Sequence, residues 1–252
     1  MSLPIYSESY RPSADWAKKL DEKKAARGGR AFPALAPDFL AEWTFGTLHV
    51  EFPDLELAEI TAALADSDAD GRLAADARRF AAAAERLVAR ANAVPPDERD
   101  HLTPDDCFEF YCAVTGEWPE ARVEMYRAGE GEPQVEGHQP AIPEALPLLL
   151  EHTLDWFATD SFAELHPVEQ VALFHLRMRD LQPFAKCNNR IVRLMMSFYT
   201  LRAGLPPVVL IPEAESNDRD AFGYAIQMIT QPSLEVFAFL LQRAFDFKED
   251  VQ

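Results

Sequence analysis

The stretch LQPFAKCNNRIVRLMMSFYTLRAGLPP, from Leu181 to Pro207, constrains the fold of this chain more than any other. It reads as a short loop running into a buried helix, Asn188 to Ala203, followed by a turn of Gly and two prolines. The helix before it, Pro167 to Leu181, carries few polar residues from Val168 to Leu176 and is expected to be buried on most sides. The loop therefore presents backbone N–H groups at a helix N-terminus, and such a place favours an anion, phosphate above all.

Most of the remaining chain reads as helix. Phe39, Leu40 and Trp43, then Leu57, Ile60 and Leu64, recur at helical spacing and predict two short helices between Pro37 and Ala65. The Ala-rich segment GRLAADARRFAAAAERLVARANAV, with Phe80, Leu87 and Val88 on one side, predicts a longer one that two prolines end. Thr103 is placed to cap the next helix, with Pro104 at its first position. Further helices are expected at Ile142 to Phe157, Asp218 to Thr230 and Ser233 to Phe247. Only ARVEMYRAGEGEPQVEGHQP breaks the pattern: Val123 and Met125 alternate with polar neighbours before Gly129, Gly131 and Pro133, which predicts a β-hairpin.

The fold class expected is mainly α with one small hairpin. Residues 1–35 read as a partly ordered arm, in which Lys18, Lys19, Lys23, Lys24, Arg27 and Arg30 are diluted by acids. Residues 36–95 read as a helical extension and 96–252 as the core domain. At 252 residues and 48% hydrophobic composition the chain can bury a sizeable core.

Charge and cysteine usage remove several function classes. Lys and Arg total 24 against 42 Asp and Glu, a formal net charge of -18, so a nucleic-acid partner is not expected. Cys107, Cys112 and Cys187 form no CxxC pair, and the six histidines show no metal-ligand spacing, so neither a disulfide framework nor a metal site is expected. The opening residues have no basic segment followed by an apolar run, and no stretch of about 18 apolar residues occurs, so a soluble, cytoplasmic protein without a membrane partner is expected.

Arg190 and Arg193 lie three apart in the first turns of the Asn188 helix, where both guanidinium groups can reach one ligand, or pair with two of the many carboxylates. The stretch HPVEQVALFHLRMRDLQPFAKCNNRIVRLMMSFYTLRAGLPPVVL resembles the core of the Fic (Fido) family, whose motif is HPFx(D/E)GNGRxxR. The resemblance runs from about Phe45 to Phe247. It takes in the flap segment MYRAGEGEPQV, with Met125 and Arg127, and the helix IPEALPLLLEHTLDWF after it. It implies the Fic helical fold with a hairpin flap and an N-terminal helical extension. The best understood members transfer AMP from ATP to a target hydroxyl.

Pro183, Phe184, Asn188, Arg190 and Arg193 match the motif, and four positions depart from it. Gln182 stands where the family has the His that deprotonates the target, and a carboxamide has no usable proton affinity near neutral pH. Lys186 stands where the family has the carboxylate that holds Mg²⁺, an ion that needs oxygen ligands. Its ammonium is left to lie beside a diphosphate or point to solvent. Cys187 and Asn189 replace two glycines that allow close backbone approach and positive φ, a conformation Asn accepts better than Cys. Upstream, Thr47 and Glu51 in TLHVEFPDLELAEI match the family's inhibitory pattern (S/T)xxxE(G/N), with Phe52 departing from it; the resemblance implies a Glu51–Arg193 pair.

Three functions follow. The first is a Fic-fold protein that keeps an anion hole formed by Phe184, Cys187, Asn188, Asn189, Arg190 and Arg193. It binds a nucleotide or other phosphate-bearing molecule, ATP-like, without Mg²⁺ and without standard AMP transfer. The second is an enzyme repurposed for a different phosphate-bearing or small-molecule substrate. The third is an interaction module that binds a protein partner through the flap.

Overall fold

The structure is a computed structural model that describes residues 15–26, 35–95, 98–225, 227 and 230–249. Its helices are α1 (Trp16–Ala26), α2 (Pro37–Leu48), α3 (Leu57–Ala65), α4 (Arg72–Ala91), α5 (Pro104–Thr115) and α6 (Leu146–Phe157). They continue with α7 (Asp160–Ala163), α8 (Pro167–Leu181), α9 (Asn188–Arg202), α10 (Glu215–Ala225) and α11 (Gln231–Glu249). Among the described residues no helix is long and apolar enough to cross a membrane.

Helix α9 is the axis. Every residue from Arg190 to Leu201 is buried, and α2, α4, α5 and α8 pack around it. The alanines of α4 explain how a long helix can lie against this crowded axis: Ala77, Ala83 and Ala84 are fully buried. Within the buried part of α9, Ser197 Oγ accepts the Val208 N–H at 3.0 Å. Helix starts follow the sequence signals. Thr103 Oγ1 accepts the Asp106 N–H at 3.2 Å while the Asp106 carboxylate accepts the Thr103 N–H at 2.8 Å, with Pro104 at the first position. At α8, His166 Nδ1 accepts the Val168 N–H and Glu169 accepts the His166 N–H.

The N-terminal segment contributes to the core, since Leu20 of α1 is fully buried and Trp16 meets the His166 ring edge-on at 5.2 Å. Residues 1–14 and 27–34 of the expected arm lie outside the described residues. Two boundaries differ from expectation: a 3-10 turn, Pro143–Ala145, precedes α6, and α10 begins at Glu215 and ends at Ala225.

The β-hairpin expected between Ala121 and Pro140 does not form. Arg122–Met125 is a 3-10 turn, and the chain then runs as an irregular loop with one antiparallel bridge, Tyr126 to Phe184. The bridge consists of the Arg127 N–H to the Pro183 carbonyl at 3.1 Å and the Ala185 N–H to the Met125 carbonyl at 2.8 Å. The physical reason is that Pro133 and Pro140 donate nothing to a ladder, while side chains of Arg127, His138 and Gln182 take main-chain groups of the flap.

Gly46 in α2 marks the tightest crossing near the site, because a Cβ there would stand 2.1 Å from the Leu210 carbonyl oxygen. Gly46→Ala is expected to destabilise the fold by ~1–3 kcal/mol through forced separation of backbones. Thermal unfolding checks it, with a fall of roughly 2–4 °C per kcal/mol.

Candidate functional site

The chain leaves α8 at Gln182 and enters α9 at Cys187, and both sit in the left-handed region, at φ 46° and 53°. Among the described residues they are the two non-glycine residues with positive φ. Each such placement costs on the order of 1–2 kcal/mol. The loop is held there by a dense set of bonds. The Gln182 N–H closes α8 on the Met178 carbonyl at 2.9 Å. Arg127 Nε donates to the Gln182 carbonyl at 2.7 Å and Arg127 Nη2 to that of Leu181 at 3.2 Å. Asn188 Oδ1 accepts the Phe184 N–H at 3.2 Å, and the Phe184 ring stacks on Tyr111. Asn189, by contrast, has entered the helix, so only one of the two substituted glycine positions demands positive φ.

The departing positions are engaged elsewhere. Gln182 Nε2 donates to the Glu132 carbonyl at 2.5 Å and its Oε1 accepts the Glu132 N–H at 3.0 Å. Lys186 Nζ reaches both Glu117 carboxylate oxygens, at 2.7 and 2.9 Å, in an exposed pair that raises its pKa. Of the two courses left open by the sequence it takes the solvent-facing one, beside Glu117 at the surface. Burial pushes the Cys187 thiol up, so it is no thiolate nucleophile near neutral pH.

The arginines diverge. Arg190 is almost fully buried: its Nε and Nη2 donate to Glu51 at 2.7 and 2.6 Å, and its Nη1 lies 2.9 Å from Asp76 of α4. Burial works against its charge, but the bonds and charge of Glu51 outweigh burial and raise its pKa. Arg193 instead donates to the Gly46 carbonyl at 3.3 Å and lies 2.7 Å from Glu215. The expected Glu51–Arg193 pair is thus corrected to Glu51–Arg190. Arg193, three residues and about 300° further round the helix, faces α10 rather than the turn after α2. Thr47 is buried in α2.

A cavity of about 310 Å³ opens between α8, α9, α10 and the flap. Asn188, Asn189, Arg193, Arg179, Arg219, His175 and Asp218 line it, with Pro133 and Gln134 from the flap. The first turn of α9 brings to it N–H groups that no helical carbonyl can accept. Asp218 is held charged against burial by Arg179 and Arg193, with Arg179 Nη1 at 2.6 Å, and by His175 only where that ring is protonated. His175 is pushed down to about 4 by burial, with Asp218 opposing and the two arginines assisting. It is neutral at pH 7.

A family model described as Fic/DOC family matches residues 101–200, which run from the cap of α5 through the loop to the end of α9. These residues carry a Fic/DOC segment. A protein adenylyltransferase Fic of Aedes aegypti is 28% identical over 158 residues, 62% of this chain and 31% of that protein. The match thus spans under a third of that relative's length. A solved Fic-domain signaling protein of Bacteroides thetaiotaomicron superposes with a TM-score of 0.74 at 20% identity, covering 92% of this chain and 95% of that one. IbpAFic2 solved in complex with adenylylated Cdc42 gives 0.53 at 16% identity, covering 94% and 72%. These likenesses establish the Fic helical fold.

The residues of this Fic domain do not fit a magnesium ion at the family's position, because an ammonium already neutralised by Glu117 supplies no oxygen ligand. Sequence reasoning missed Asp76, Glu117, Glu132, Arg179, Glu215 and Asp218. Asp76 alone left a signal, as a carboxylate among the buried alanines of α4.

The depressed His175 pKa has a sign. Above about pH 6.5 both folded and unfolded states hold it neutral; as pH falls toward 4 only the unfolded state gains the proton, and stability is lost. His175→Gln is expected to remove roughly 2–3 kcal/mol of the acid destabilisation between about pH 7 and about pH 4.5. Urea unfolding of both proteins across that range checks it.

Proposed function

We propose that this Fic-fold protein binds a phosphate-bearing ligand of nucleotide size against the start of α9, without a divalent metal. We further propose that it does not perform adenylyl transfer with a histidine base and a metal ion. The observation that carries this reading is the double engagement of the loop: Gln182 is spent on Glu132 and Lys186 on Glu117, while the cavity at Asn188, Asn189 and Arg193 stays open. Three arginines line that cavity, two of them balanced by Asp218 and Glu215, which leaves it cationic through Arg219 and the helix N-terminus.

The adenylyltransferase activity named for the insect relative needs a proton acceptor that Gln182 does not supply. The family's inhibitory element has its counterpart in Glu51, but here it grips Arg190, and Asp76 grips it as well. Removing Glu51 alone therefore leaves Arg190 paired. A reading as an interaction module through the flap has less support, because the flap is tied at Gly129, Glu132, Gln134 and Ala141 to side chains of its own fold.

Calorimetric titration with ATP, ADP and CTP, with Mg²⁺ and with a chelator, tests the reading. Binding is expected to be independent of the metal and about 10- to 100-fold weaker in Arg193→Ala, the loss of one charge-assisted hydrogen bond. Circular dichroism confirms that the variant is folded. No heat with any of the three, in wild type and in Glu51→Gly, refutes it.

A further inference from the structure

We infer that Gln182 is a specificity-determining residue: its side-chain amide occupies the main-chain pairing position of the flap. The flap, which reaches the cavity through the next two residues, Pro133 and Gln134, is thereby closed to an extended polypeptide, and the cavity is left to a small molecule.

The geometry rests on three observations. Glu132 turns both its N–H and its carbonyl toward the same neighbour, which is how a residue on a strand edge meets a residue of the adjacent strand. A primary carboxamide presents the same donor and acceptor as a peptide unit, and Gln182 meets both groups, at 3.0 and 2.5 Å. Gln182 is itself only 7% exposed, so the amide side of this pairing is shielded from solvent while Glu132 lies at the surface.

The packing admits little play. A Cβ on Gly131 would stand 3.0 Å from Gln182 Oε1 and 2.5 Å from Pro140 Cβ, so the flap touches the amide through a residue with no side chain. Gln134 Nε2 adds a second donor to the Glu132 carbonyl at 3.1 Å. The backbone of Gln182 is fixed in turn, by its left-handed φ and by Arg127 on its carbonyl. An incoming chain can pair with Glu132 only by expelling an amide that is buried and doubly bonded, and an expelled amide must find new partners. A ligand that enters the cavity beside Asn189 and Arg219 meets no such obstacle.

The inference rests on the proposed function only in taking the cavity as a ligand site; the pairing itself is tested without any nucleotide. Hydrogen exchange of the Glu132 amide, followed by NMR on wild type, Gln182→Ala and Gln182→Glu, reads it directly. The wild-type amide is expected to exchange slowly, and at least roughly tenfold faster in Gln182→Ala, with amides of α9 unchanged. Gln182→Glu keeps an acceptor for the Glu132 N–H but loses the donor and places a carboxylate against a carbonyl. It is expected to fall between the two, which general loosening does not produce. Equal exchange of Glu132 in wild type and Gln182→Ala overturns the proposal. In a second arm, a displayed library of random peptides is selected against each protein. Wild type is expected to yield no peptide whose binding is lost in Glu132→Pro, which removes the N–H. Recovery of such peptides on wild type overturns the exclusion of polypeptides even where the exchange result holds.

Discussion

The guanidinium of Arg190 fixes the arrangement on which the rest of the structure depends. It rises from the first turn of α9, the axis of the bundle, and is clasped by Glu51 from the turn after α2 and by Asp76 from α4. Asp76 also lies 3.2 Å from Arg79 and 3.7 Å from Arg72, so the carboxylate is shared among three cations. Taking a charge out of water costs several kcal/mol unless partners restore its interactions, which makes such a cluster weak as a source of stability and strong as a specification of geometry. Three elements distant in sequence can meet only where these charges are balanced. The position of α2 over α9 then follows, with Gly46 pressed on Leu210 and its carbonyl serving Arg193.

The loop between α8 and α9 shows how a backbone shape outlasts the residues suited to it. Two left-handed residues bracket it, and neither is glycine. Their strain is offset by context: Arg127 collects the carbonyls of Leu181, Gln182, Gly129 and Ala141, and Asn188 holds the loop's amide at Phe184. A substitution for glycine therefore did not open the loop. The side chains of Gln182 and Lys186, which do not stand at glycine positions, found partners within the fold.

The helices were legible because their signals are local. Thr103 with Asp106 and Pro104 announces α5, and the apolar run of α9 announces its burial. The hairpin was misread because the alternation of Val123 and Met125 is also compatible with a 3-10 turn, and the atoms that settle the matter belong to Gln182 and Arg127. The candidate site was half legible. The anion-favouring start of α9 was read from residue chemistry, and the positions of Gln182 and Lys186 as those of a base and a metal ligand came only from the resemblance to the Fic family. The partner of Glu51 did not, since spacing places two arginines on a helix without saying which faces α4 and which faces α10. Asp76 and Glu215, the acids that decide it, are remote in sequence from the motif.

The charge balance at the cavity limits the ligands it can hold. Arg179 and Arg193 enter it already paired with Asp218 and Glu215, and Arg190 is withheld behind α2. The proposed phosphate would then rely on the N-terminal amides of α9 and Arg219, or draw Arg193 away from Glu215. The amides are fixed by the helix and contribute whatever the ligand's metal state, whereas Arg193 contributes only as Glu215 yields. For the proposed phosphate ligand, affinity would therefore be set less by the number of arginines than by how readily one carboxylate on α10 gives up its partner, and it would weaken with salt as far as Arg219 carries it.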